Sequence, residues 1–122
     1  MNKIFLLIYV ILLVGCKEPA QKLLDAYVDK YGEPSSKSEE DKSHLVYIWE
    51  NVSNSNSDEA FNISDKTLNL LPTKKTHLEE GVMPNDFCSR SYYETPKLKV
   101  QIEFIINTTK DFHKLRYHIY NK

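Results

Sequence analysis

The chain has 122 residues with 16 basic and 17 acidic side chains, a net charge of −1 when its histidines are neutral. That balance excludes the strong basic excess of a nucleic-acid binder, and the length admits one domain with a modest core. With three glycines in all, there is no glycine-rich phosphate loop.

Met1-Asn2-Lys3 supplies one positive charge, and Ile4 to Val14 follow with no polar group except the Tyr9 hydroxyl. The apolar run is about half the roughly 20 residues that a spanning helix needs, and Cys16-Lys17-Glu18-Pro19 ends it. A short basic start, a short apolar stretch and a small residue before the cut describe a secretory signal peptide. Leu13-Val14-Gly15-Cys16 resembles the lipobox of bacterial lipoproteins. The resemblance implies a signal peptide over 1–15, with Leu13, Val14 and Gly15 as the signal-peptidase recognition residues. It also implies that Cys16 takes a diacylglycerol through a thioether, becomes the mature N-terminus and is open to further N-acylation; a thiolate is the best side-chain nucleophile for that step. Residues 16–122 are then one mature domain, held by its lipid at the cell membrane or outer membrane and facing the periplasm or the cell exterior. Lys17, where an Asp would favour the inner membrane, leans the expectation to the outer one. No other cofactor is expected.

Ala20, Leu23, Leu24, Tyr27, Val28 and Tyr31 recur at helical spacing, with Gln21, Lys22, Asp25, Asp29 and Lys30 on the opposite face. Pro19 suits a first helical turn, Gly32 a left-handed stop, and Pro34 prevents continuation. The spacing therefore predicts an amphipathic helix over 19–31. "SSKSEEDKSH", 35–44, is polar and aperiodic and reads as a solvated loop. "LVYIWE", 45–50, is β-branched and aromatic enough for a strand, and "NVSNSNSDE" reads as a turn-rich loop. "AFNISDKTLNLLP" is expected to form a short strand and then a helical turn capped by Asn62 or Ser64; "TKKTHLEEGVMPND" is expected to add another helical turn.

In the last third, Leu98, Val100, Ile102, Phe104 and Ile106 alternate with Lys99, Gln101, Glu103 and Ile105, and Leu115, Tyr117 and Ile119 alternate with Lys114, Arg116, His118 and Tyr120. Both are period-two patterns with one apolar face. Pairing Phe104 with Leu115 and Ile102 with Tyr117 keeps the two apolar faces together, because a slip of one residue turns one of them to water. The same register sets Glu103 opposite Arg116. The fold expected is α+β: an N-terminal amphipathic helix packed on a small antiparallel sheet that ends in a C-terminal β-hairpin.

"AYVDKYGEP" followed by "YIW" resembles a beginning found among small envelope lipoproteins such as the SmpA/OmlA family. There a helix ends in a Gly-x-Pro stop and the chain enters the first strand of an antiparallel sheet. This chain lacks that family's second N-terminal helix before the sheet, and no functional residue is carried over.

His44, His77, His113 and His118 are widely spaced, with no pair at the i, i+4 spacing of a helical zinc site. They are expected at the surface, with His113 and His118 on opposite faces of one strand, and no metal site is expected. With Cys16 consumed by lipid, Cys88 has no intramolecular partner, which leaves burial, an intermolecular disulfide or a reactive role. In "DFCSRSYYETP", 86–96, Phe87, Tyr92 and Tyr93 stand beside Arg90 in what reads as a loop before a strand. Tyr and Arg are enriched at protein–protein hot spots, and Lys97, Lys99, Lys114, Arg116 and His118 add a mildly basic strip. Arg90, Tyr92, Tyr93, Lys99 and Arg116 are the candidate partner-binding residues; core-capping aromatics and a solvated sheet face account for the same residues without a partner.

The expected function is that of a membrane-anchored protein-binding module: an accessory subunit, an inhibitor, or an exclusion or immunity factor acting on another envelope protein. The alternative is a lipid or small-ligand carrier, which needs an apolar cavity that a domain of this size can scarcely spare. An enzyme is the remaining class and rests on Cys88 alone; the expectation is that the chain is not one.

Overall fold

The computed structural model describes residues 18–52, 55–81, 83–109 and 112–122. Leu13, Val14, Gly15 and Cys16, and with them the signal peptide, lie outside the described residues. The described chain is α+β, with two helices on one face of a six-stranded sheet. In chain order the elements are α1 (Pro19–Tyr31), β1 (Ser36–Asp41), β2 (His44–Trp49), α2 (Ser57–Leu68), β3 (Lys74–Glu80), β4 (Asp86–Thr95), β5 (Leu98–Asn107) and β6 (Phe112–Tyr120). The strands lie in the order β1-β2-β6-β5-β4-β3, and every pair is antiparallel. α2 carries the chain from β2 to the far edge, and β3 to β6 return as a meander that closes on β2. Among the described residues no helix is long and apolar enough to cross a membrane.

α1 begins and ends where its sequence predicts. Pro19 opens it, and the Gly32 N–H donates to the Val28 carbonyl at φ +85°, a conformation costly for a side-chain-bearing residue. Its apolar stripe buries Leu23 and Tyr27 against the sheet. The hairpin register agrees with the sequence reading: Phe104 faces Leu115, Ile102 faces Tyr117 and Glu103 faces Arg116.

The core is tied together through the polar tips of its aromatic residues, which need partners once buried. Tyr27 on α1 packs on Trp49 and Tyr117 with ring centroids 5.7 and 5.8 Å apart, and its hydroxyl donates to the Ala60 carbonyl on α2 at 3.0 Å. The Tyr117 hydroxyl reaches back to the Ala20 carbonyl at 2.9 Å, and the Trp49 indole N–H to the Gly32 carbonyl at 2.8 Å. Tyr93 on β4 meets Ser64 on α2 at 2.7 Å and also bonds Asp65. Each of these bonds joins a helix to the sheet or one helix to the other.

Four expectations are corrected. Residues 36–41 are an edge strand instead of a solvated loop, held by pairing with β2; so the first strand precedes "YIW". A helix occupies 57–68 in place of a short strand and a helical turn. Its cap is Asn56, whose side chain accepts from the Glu59 N–H at 2.9 Å; Asn62 and Ser64 lie inside the helix. Residues 74–80 form a strand, not a helical turn, with a bulge between Thr76 and Glu79 at which Leu78 has φ +49°. Residues 86–95 are a strand paired along its length with β5, not a loop. Both edge strands are polar and exposed, which protects the sheet from edge-to-edge pairing and removes the apolar periodicity that announces a strand.

Candidate functional site

Strand alternation sends every second residue to the face of the sheet that neither helix covers. On β5 these are Lys99, Gln101, Glu103 and Ile105; on β6, Arg116, His118 and Tyr120; on β4, Cys88, Arg90 and Tyr92; on β2, His44 and Val46.

Glu103 stands at the centre of this face and is 6% exposed. In register it lies between Arg90 on one neighbouring strand and Arg116 on the other. Arg90 Nε donates to its Oε2 at 2.9 Å; Oε1 faces His118 Nε2 at 3.2 Å and Arg116 Nη1 at 3.5 Å. Burial works to raise the Glu103 carboxyl, but the His118 hydrogen bond and charge together with the Arg90 guanidinium overcome it and hold the group at about 2.

From this hub polar contacts run to both edges. Arg90 Nη1 donates to Glu79 on β3 at 3.2 Å. On the other side His118 Nδ1 lies 2.9 Å from His44 Nε2, and His44 Nδ1 lies 3.3 Å from Glu40 on β1. Glu79, Arg90, Glu103, His118, His44 and Glu40 therefore form one continuous chain with a member from every strand, in the order of the sheet. Tyr120 stacks on His44 at 4.3 Å, and Val46, beside His118 in register, shields it.

Of the predicted partner-binding residues, Arg90, Tyr92, Lys99 and Arg116 share the open face. Tyr92 lies beneath the Lys74 ammonium, and Lys99 rests over the Tyr120 ring. Tyr93 points the other way: it is 1% exposed in the core, and burial with its bond to Asp65 pushes its hydroxyl up to about 12. Two of the four histidines depart from the surface placement, since the side chains of His44 and His118 are 16% and 12% exposed. Cys88 is a buried free thiol, raised by desolvation, which weakens it as a nucleophile. Among the described residues no three His, Cys, Asp or Glu side chains are grouped to hold a metal ion.

Glu103 as a hub, with His118, His44, Glu40 and Glu79, was missed by sequence reasoning. Part of it was within reach. The hairpin register that pairs Glu103 with Arg116 also places His118 diagonally beside it, within range of long side chains.

A second feature lies at one end of the sheet. The start of α1, the end of α2, the β4–β5 turn and the last residues of β6 enclose a cleft of 630 Å³, lined by Leu68, Leu70, Leu98, Ile119, Lys97 and Lys99 among others. A domain of this size thus does leave an apolar recess.

The chain matches no family model, no curated protein and no solved structure.

Proposed function

We propose that the protein is a lipid-anchored, extracytoplasmic binding module, not an enzyme, that presents the open face of its sheet to another envelope protein, as an accessory subunit, an inhibitor, or an exclusion or immunity factor. The lipobox over Leu13 to Cys16 supports the anchor, with a diacylglycerol on Cys16 and a place on the cell or outer membrane. The observation that carries the binding reading is the buried Glu103, neutralised by Arg90, Arg116 and His118 on a face that neither described helix covers. Charged side chains held in one geometry before contact lose little entropy on binding and discriminate between partners by charge. Tyr92 and Tyr120 add aromatic area beside Lys99. Catalysis is disfavoured because His118 commits one ring nitrogen to Glu103 and the other to His44, leaving none to exchange a proton with a substrate. The second reading, a lipid or small-ligand carrier, is favoured by the 630 Å³ cleft.

The test is cross-linking and affinity capture of the lipidated protein in its own envelope, with Tyr92→Ala/Arg116→Ala and Cys16→Ser run beside it. One partner captured near stoichiometry by the parent and lost in the double variant supports the binding module. Capture that is unchanged in the double variant would remove the open face from the reading.

A further inference from the structure

The cleft at the end of the sheet has no occupant within the described domain, and its position relative to the chain's start indicates what covers it. Glu18, the first described residue, lines it, as do Pro19 and Ala20. Cys16 is two residues upstream, a reach of about 7 Å at most for extended chain. A lipid on Cys16 would therefore bring the bilayer close to the mouth of this cleft. The surroundings suit that contact. Leu70 lines the cleft, and Leu71, next in the chain, is 86% exposed, the most exposed large apolar side chain among the described residues. Leu98 and Ile119 continue the apolar wall, and Lys97, Lys99 and Tyr120 stand at it. Lysines and tyrosines of this kind lay their apolar stems or rings against hydrocarbon while their polar ends stay at headgroup level. Lys122 is bonded to Glu94, which Lys99 also faces in register; Lys97, with Lys99 beside it, is the cation placed to meet phosphate, and Glu18 is the one acidic side chain among the described lining residues.

We infer that this end of the domain docks on the membrane, with anionic phospholipid of the leaflet filling the cleft and Leu71 inserted beside it. The inference rests on the lipid-anchor reading. It adds a fixed orientation: the domain stands on the end of its sheet, and the Glu103 face is held edge-on to the bilayer instead of tumbling on a tether. A diacylglycerol already anchors the chain stably, so what docking adds is orientation, not retention.

The experiment uses the mature lipidated protein with Leu71→Trp, reconstituted in phosphatidylcholine–phosphatidylglycerol vesicles whose acyl chains carry bromine. The native Trp49 is buried in the core and serves as the unquenched reference, and the mass of the N-terminal peptide reports acylation of Cys16. The expected result is blue-shifted emission from the introduced indole, quenched severalfold more than the parent's and reduced at least twofold by Lys97→Glu/Lys99→Glu. An acylated Cys16 with a solvent-like, unquenched indole at that position overturns the docking and leaves the anchor intact. Emission that is blue-shifted but unquenched overturns it in favour of a second copy of the chain covering the cleft. Strong quenching indifferent to the lysine changes reduces the effect to tether proximity and also overturns it. An unmodified Cys16 overturns both the anchor and the docking.

Discussion

His118 and His44 are joined nitrogen to nitrogen at 2.9 Å, while their outer nitrogens face the carboxylates of Glu103 at 3.2 Å and Glu40 at 3.3 Å. A carboxylate only accepts, so His118 Nε2 donates to Glu103, and between the rings one nitrogen donates and the other accepts. The link fixes the orientation of both imidazoles on the open face. In the folded protein a ¹⁵N–¹⁵N coupling across the hydrogen bond should connect His44 Nε2 with His118 Nδ1; its absence would show that the pair is not bonded.

The Glu103 carboxyl sits at about 2 in the folded chain against its ordinary 4.5. A depressed carboxyl contributes stability that is complete above its unfolded value and is lost as pH falls through the folded one. The window for Glu103 therefore runs from about 4.5 down to about 2, and the contribution is on the order of 3 kcal/mol. Urea unfolding of the parent should weaken across that window. Glu103→Gln should be destabilised at neutral pH by roughly 3 kcal/mol, because Arg90, Arg116 and His118 lose their counter-charge, and should show a flatter acid limb. An equally steep acid limb in Glu103→Gln would place the dependence elsewhere.

Tyr27→Phe removes the donor to the Ala60 carbonyl at the junction of α1, α2 and the sheet. That carbonyl keeps its helical bond from the Ser64 N–H, so the expected loss is that of one buried hydrogen bond, about 1 kcal/mol. Tyr31→Phe, whose hydroxyl meets Ser55 in a half-buried site, should cost less, since water replaces the partner. Chemical denaturation of the two variants side by side decides the order.

Gly32→Ala tests the helix stop. An added Cβ would find no heavy atom within 4 Å, so the cost comes from the φ of +85° alone. A loss of roughly 1–3 kcal/mol in thermal unfolding is expected, because φ +85° with ψ −169° is a region open to glycine almost alone. Asn56→Ala should cost about 1 kcal/mol through the lost cap on the Glu59 N–H.

Cys88 should react with a thiol reagent far more slowly in the folded protein than after denaturation, because it is buried and desolvation raises its pKa. Fast, stoichiometric labelling of the native chain would return the thiol to the list of reactive groups and reopen the enzymatic reading.

Two parts of this fold were written into local sequence. α1 carries its own start, apolar stripe and stop in Pro19, the Leu23–Tyr27 spacing and Gly32. The β5–β6 hairpin carries its register, because only one alignment of Phe104, Ile102, Leu115 and Tyr117 keeps both apolar faces inward. That register also fixed the Glu103–Arg116 pair. The rest was decided by tertiary structure. β1 and β3 are polar edge strands that carry no apolar face of their own and are extended only because each pairs with the strand that follows it, itself held in the sheet by distant neighbours, and α2 buries Ser57 and Ser64 beside Ala60 and Phe61, so its stripe looks polar in sequence. The same holds for the candidate site. His44 and His118 are 74 residues apart, and only the return of the meander onto β2 brings them into contact. A local pattern records which face of an element is apolar; which strand lies beside it depends on the sum of many distant pairings, and here that sum sets one member of the polar chain on each of the six strands.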